Sequence, residues 1–263
     1  MRADPDLIQE AAAGSASAQL GLADAAIKAG AEGFVRQLES LIAAETWARL
    51  AAAIGGAEEQ RALVGVLLAR ADFEVRHGGI GMSAWYENEA RRVLKLLVAL
   101  DDPNAKSALD ELGPVDDDHE GPDIQNVAQL AAAARGDVNA LCLLRDDAYK
   151  LIDGGQCDPL EALTAGELYA RLASANGESA HLRSLAGFML KRAEFEFRAG
   201  FPVLANNALA EAAVILSILL DHGEEGMAHW LTLLVEDAPR AAIAKAAHYC
   251  PTILKFIEPE GAC

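Results

Sequence analysis

Aromatic residues are scarce in this chain, at 5 % of 263 residues, and runs of Val, Ile, Thr and aromatics of the kind that build strands are missing. That argues against a β-sheet core. Basic residues are also few, 22 Lys and Arg against 40 Asp and Glu, which leaves a net charge of −18. A surface of that sign repels a phosphate backbone and speaks against direct nucleic-acid binding, while it suits solubility or the steering of a basic protein. None of the four cysteines (Cys142, Cys157, Cys250, Cys263) forms a CxxC pair. Their spacing fits neither a zinc site nor a disulfide framework. The positions 122 residues before Cys142 and Cys157 are Leu20 and Val35, so these thiols read as small apolar side chains in a reducing compartment. Long apolar runs are lacking too. The most membrane-like stretch, AVILSILL at 213–220, is too short to span a bilayer, and MRADPDLIQE at the N-terminus has no signal-peptide core. A soluble, cytoplasmic protein is expected. No nucleophile elbow, Walker loop, dinucleotide fingerprint or HExxH motif occurs. No catalytic residue, cofactor site or metal site is therefore predicted.

What is abundant is alanine, leucine and self-similarity. Residues 71–78 read ADFEVRHG and residues 193–200 read AEFEFRAG. The pair belongs to a longer ungapped match between 41–78 and 163–200 at an offset of 122. Its identities include Glu45/Glu167, Arg49/Arg171, Arg61/Arg183, Arg70/Arg192 and Phe73/Phe195. The register extends outward to Gly14/Gly136 and Glu89/Glu211. One register over that length predicts a tandem duplication. Inside each half, turn-like residues stand at Gly14, Gly55 and Asp101, then at Gly136, Gly177 and Gly223, with steps of 41 and 46 in both. Such periods predict an all-α superhelical solenoid of antiparallel helix pairs. Apolar positions such as Leu63, Val66, Leu67 and Phe73 keep a helical spacing, and about a dozen helices fit the length. The predicted division is a first half over 1–112, an acidic linker over 113–123, a second half over 124–237, and a capping helix with tail over 238–263.

LVGVLL at 63–68 followed by HGGIGMSAWYENEA at 77–90 resembles the Sel1-like repeats, a branch of the tetratricopeptide superfamily. Gly65, Gly79, Gly81, Ala84, Trp85, Tyr86 and Ala90 carry the likeness. The second copy departs from it, with Val203, Asn207 and Ala208 in place of Gly81, Trp85 and Tyr86. The resemblance implies adaptors that hold other proteins on a concave surface and have no catalytic residues of their own.

Glu45/Arg49, Asp72/Arg76, Glu167/Arg171 and Glu194/Arg198 are acid-first i,i+4 pairs, each worth about 0.2–0.5 kcal/mol on a helix. They read as structural pairing within the helix stack. The functional alternative is an arginine ladder of Arg49, Arg76, Arg171 and Arg198 that clamps a partner carboxylate. Trp85 and Tyr86, present in one copy only, are candidates for a binding hot spot. His77, replaced by Ala199 in the second copy, reads as a helix-end cation. DDDHE at 116–120 reads as solvated linker. Trp47 and Tyr169 align as packing residues, and Trp230 and Tyr249 read as core or cap. The expected function is a non-catalytic scaffold whose partner is a protein or peptide, a basic one included, bound on the concave surface or between the halves. Two alternatives remain: an acidic inhibitor or immunity-type protein that blocks a basic effector, and a ligand carrier or enzyme with a pocket between the halves.

Overall fold

A computed structural model describes residues 4–30, 34–113, 127–154 and 159–257, with backbone alone at 34, 35, 153, 154 and 257. The described residues form fourteen α-helices, a single 3-10 turn over Pro251–Ile253, and no strand. In chain order the first six helices are α1 (Pro5–Ala12), α2 (Ala16–Ala29), α3 (Phe34–Ile54), α4 (Ala57–Arg76), α5 (Ile80–Ala99) and α6 (Ala105–Glu111). After 114–126 come α7 (Val127–Ala134), α8 (Val138–Gly154), α9 (Pro159–Ser174), α10 (Ser179–Arg198) and α11 (Pro202–Asp221). The chain closes with α12 (Met227–Asp237), α13 (Arg240–Tyr249) and α14 (Leu254–Ile257). The acidic linker motif at 116–120, and Cys157 and Cys263, lie outside the described residues.

The helix starts are set locally. The Asp4 carboxylate accepts from the Asp6 amide at 3.0 Å, and the Ser15 hydroxyl accepts from the Ala18 amide at 3.3 Å. Each satisfies an amide that the helix itself leaves unpaired. Pro5 and Pro202 sit in the first turns of α1 and α11, where a missing N–H costs nothing.

The stops repeat at the offset of 122. Gly14 and Gly136 adopt φ of 89° and 87°, Gly78 and Gly200 86° and 83°, and Asp101 and Gly223 58° and 87°. Each is followed by an amide that reaches back five residues: Ser15 to Glu10 and Asp137 to Ala132, Gly79 to Glu74 and Phe201 to Glu196, Asp102 to Leu97 and Glu224 to Leu219. These are Schellman closures, which need a left-handed residue. Asp101 is the only described non-glycine residue with positive φ. A Cβ in that region costs energy that glycine avoids. Asp101→Gly is therefore expected to stabilise the protein by about 1 kcal/mol, read as a rise in the urea midpoint at unchanged slope.

Packing divides the chain into two compact units, Met1–Leu144 and Arg145–Cys263. In the first, α2, α3, α4 and α5 pack in sequence and α7 lies on α3. Its interior holds Leu22, Trp47, Leu50, Leu67, Phe73, Tyr86 and Leu97. At the offset of 122 residues α7 corresponds to α1, and both pack in the first unit. The buried Gln19 amide explains the attachment, since its Nε2 donates to the Ala11 carbonyl at 3.2 Å and to the Ala134 carbonyl at 2.9 Å. The equivalent glycine turns also meet backbone to backbone. A Cβ on Gly136 would stand 2.5 Å from the Ala12 carbonyl oxygen, and one on Gly14 would stand 2.9 Å from Arg135.

In the second unit α10 packs on α9 and α11, and α11 carries α12 and α13. The core there comprises Phe188, Met189, Leu216, Leu219, Leu231 and Ile253. By length and composition α11 is apolar enough to cross a membrane; half of its most apolar window is buried. It also carries Glu211, which is ion-paired to Arg171.

Candidate functional site

The charged pairs seen in the sequence build two networks. Helical spacing puts Glu45 and Arg49 one turn apart on α3, and Arg49 Nε donates to Glu45 Oε1 at 2.9 Å. The same guanidinium crosses to α5, where Nη1 and Nη2 engage both oxygens of Glu89, the second at 2.6 Å. Arg70 on α4 places its Nε 3.7 Å from Glu45 Oε2, an ion pair without hydrogen-bond geometry. Arg49 thus ties α3 to α5 through a bidentate fork, the geometry arginine serves best, and Arg70 brings α4 into the same network.

The second unit repeats this. Arg171 Nε donates to Glu167 at 2.8 Å, and its fork takes Glu211 at 2.5 and 2.9 Å. Arg192 bonds the other oxygen of Glu167 and also Glu196, at 2.8 Å. Burial pushes the Glu167 carboxyl up, but the Arg171 and Arg192 guanidiniums outweigh it and hold it at about 2. Burial likewise lowers Arg49 and Arg171, and their carboxylate partners raise both above the ordinary arginine value. Arg49 and Arg171 are therefore occupied within the fold, each satisfied by two carboxylates.

Arg76 and Arg198 are placed differently. They end α4 and α10, where a cation suits the helix dipole, and their side chains are exposed. Arg76 pairs with Asp72 at 3.0 Å and Arg198 with Glu194 at 2.5 Å. His77 follows Arg76 as the cap of α4, with Nδ1 2.7 Å from the Phe73 carbonyl oxygen and its ring against that of Phe73.

The two candidate aromatics separate. Trp85 is half-buried, with its ring edge-on to Tyr86 at 4.6 Å. Tyr86 is fully buried, and Arg70 Nη2 donates to its hydroxyl. The expectation that Tyr86 meets a partner is thus corrected: it is a core side chain with its polar end satisfied. Asn207, which stands 122 residues after Trp85, accepts instead from Lys245 at 2.6 Å. Trp47 is buried as a packing residue. Trp230 and Tyr249, expected in the core or a cap, are each 54 % exposed.

Six of the exposed large apolar side chains lie at two corresponding turns. At the α4–α5 turn these are Val75, Ile80 and Met82; at the α10–α11 turn they are Phe197, Phe201 and Val203. Val75 and Phe197 are equivalent at the 122 offset, and Val203 is the counterpart of Gly81 between Ile80 and Met82. The sequence reading passed over this surface because these residues lie next to helix ends that already have a packing explanation. Among the described residues no group of three His, Cys, Asp or Glu stands close enough to hold a metal ion. Compared with known proteins, the chain matches no family model, no curated protein and no solved structure.

Proposed function

We propose that the protein is a non-catalytic interaction module, built by tandem duplication of Sel1- or tetratricopeptide-like helix pairs, which holds another protein through its helix-pair corners. The observation that carries this is the repeated apolar exposure at the α4–α5 and α10–α11 turns. Ile80 is 76 % exposed, Phe197 69 % and Val203 68 %. Single exposed apolar residues are ordinary, but clusters at equivalent positions are the kind of surface that partners cover. Arg76 and Arg198 flank these clusters in sequence and supply a polar rim.

The test is site-specific photo-crosslinking in the native cell, with a photoreactive residue at 80, at 203, or at the exposed position 58 on the first turn of α4. Crosslinks to one protein partner from 80 and 203, absent from 58, are expected. Equal yields from all three positions, or none from 80 and 203, would overturn the reading.

A further inference from the structure

We infer that the outer face of α12 docks a basic, apolar-anchored helix of another protein. The inference rests on the interaction-module reading and adds a surface and a partner chemistry to it. Helix α12 buries Leu231 and Leu234 and turns Trp230 and Leu233 to solvent. A half-exposed tryptophan is costly to leave in water and is the residue most enriched at binding hot spots.

The internal comparison sharpens this. The counterpart of α12 at the 122 offset is α6, where Ala108 and Glu111 stand at the positions of Trp230 and Leu233. The attachment of the helix is kept in both copies: Arg61 pairs with Asp102, and Arg183 pairs with Glu224 at 3.0 Å. A helix at this place therefore folds without Trp230, and more than half of the tryptophan's surface stays in solvent.

Charge says what covers it. From Ala199 to Pro239 the chain holds six acidic residues and no Lys or Arg. Three of the six are engaged: Glu211 with Arg171, Glu224 with Arg183, and Asp221 with the Thr252 hydroxyl. Glu225, Glu236 and Asp237 are exposed and flank the Trp230–Leu233 pair along α12. The nearest basic residues that follow in sequence, Arg240 and Lys245, both lie on α13, and Lys245 is bonded to Asn207 at 2.6 Å. An occupant with Leu-type anchors for the Trp230 face and Lys or Arg on its flanks matches both features. A cation over the indole face adds a further attraction.

The experiment uses the 263-residue chain labelled with 5-fluorotryptophan, whose three tryptophans give three fluorine resonances. Trp230 is assigned by its loss in Trp230→Phe. A synthetic amphipathic Leu/Lys helix is titrated, with its Leu/Glu counterpart and zwitterionic vesicles as further probes. A saturable shift of the Trp230 resonance with the Leu/Lys helix alone is expected. Glu225→Lys/Glu236→Lys/Asp237→Lys should weaken binding at least tenfold. The equal charge change Asp4→Lys/Asp6→Lys/Glu10→Lys on α1 should weaken it about twofold or less. Overturning results are a silent Trp230 resonance, a shift produced equally by the Leu/Glu helix or by vesicles, or equal weakening by both triple variants. Loss of crosslinks at 80 and 203 would leave this titration untouched, so the two proposals fail separately.

Discussion

Arg49→Ala is expected to lower the unfolding free energy by about 3–5 kcal/mol, and Arg171→Ala by about 2 kcal/mol. Both arginines hold two carboxylates through the same bonds, so the difference lies in what each removal leaves behind. Without Arg49, Glu89 (5 % exposed) and Glu45 (10 % exposed) remain buried, and Glu45 keeps only the looser pairing with Arg70. An uncompensated buried charge is the costly outcome of breaking such a pair. Without Arg171, Glu167 keeps Arg192, and the 38 %-exposed Glu211 takes up water. Urea unfolding of the two variants measures the contrast. Glu89→Gln in the Arg49→Ala background should recover about 1 kcal/mol or more, because it removes the stranded charge. Equal losses at Arg49 and Arg171 would show that the two networks are not graded by burial.

The second network also sets an acid limit. Glu167 titrates at about 2 in the folded protein against an ordinary value of 4.5. A carboxyl whose folded pKa is depressed binds its proton more readily in the unfolded chain. Its contribution is thus complete above about pH 4.5 and is lost as pH falls toward 2, on the order of 3 kcal/mol in total. Stability measured from pH 5 down to 2 should fall along this leg in the native protein and less steeply in Glu167→Gln.

Much of this is legible in the sequence. The i,i+4 pairs were readable because helical spacing fixes them, and the turns at Gly14 and Asp101 because each has a glycine counterpart 122 residues on. The crossing partners were readable in principle. Glu89 and Glu211 keep the same 40-residue distance from Arg49 and Arg171, but nothing local marks a bond between α3 and α5. The turn at Gly55 illustrates another limit. It lacks the left-handed backbone of its neighbours and closes through Glu59, whose carboxylate accepts from the Gly56 amide at 2.7 Å. A glycine reads alike in either role. Tyr86 was misplaced for a physical reason. Presence in a single copy marks a difference in environment, and sequence alone does not say whether that environment is core or solvent. Tyr86 is fully buried where the counterpart 122 residues on is the smaller Ala208, whereas Trp230 leaves 54 % of its surface in solvent.

That exchange of volume yields the second large effect. Position 86 is tyrosine in the first copy, and its counterpart is Ala208; Val66 and Leu67 correspond to the larger Phe188 and Met189. Phe188 needs room, and the room is at Gly166, which stands where the first copy has Ala44. A Cβ on Gly166 would lie 2.5 Å from Phe188 Cε1 and 3.1 Å from the Ala148 Cβ. Gly166→Ala thus gains helix propensity of about 0.5–1 kcal/mol but drives a methyl into a buried ring, for a net loss of about 2 kcal/mol. Phe188→Val alone leaves a cavity, at about 2–3 kcal/mol. The double variant restores the Ala/Val pairing of the first copy. The new methyl then occupies part of the space the ring vacated, and the alanine keeps its helical advantage. The double variant is therefore expected to lie within about 1 kcal/mol of the native protein, against a loss of about 4 kcal/mol or more if the two changes were independent. A chemical-denaturation cycle over the four proteins measures that coupling. Additive losses would mean that Phe188 and Gly166 do not share the space the structure assigns to them.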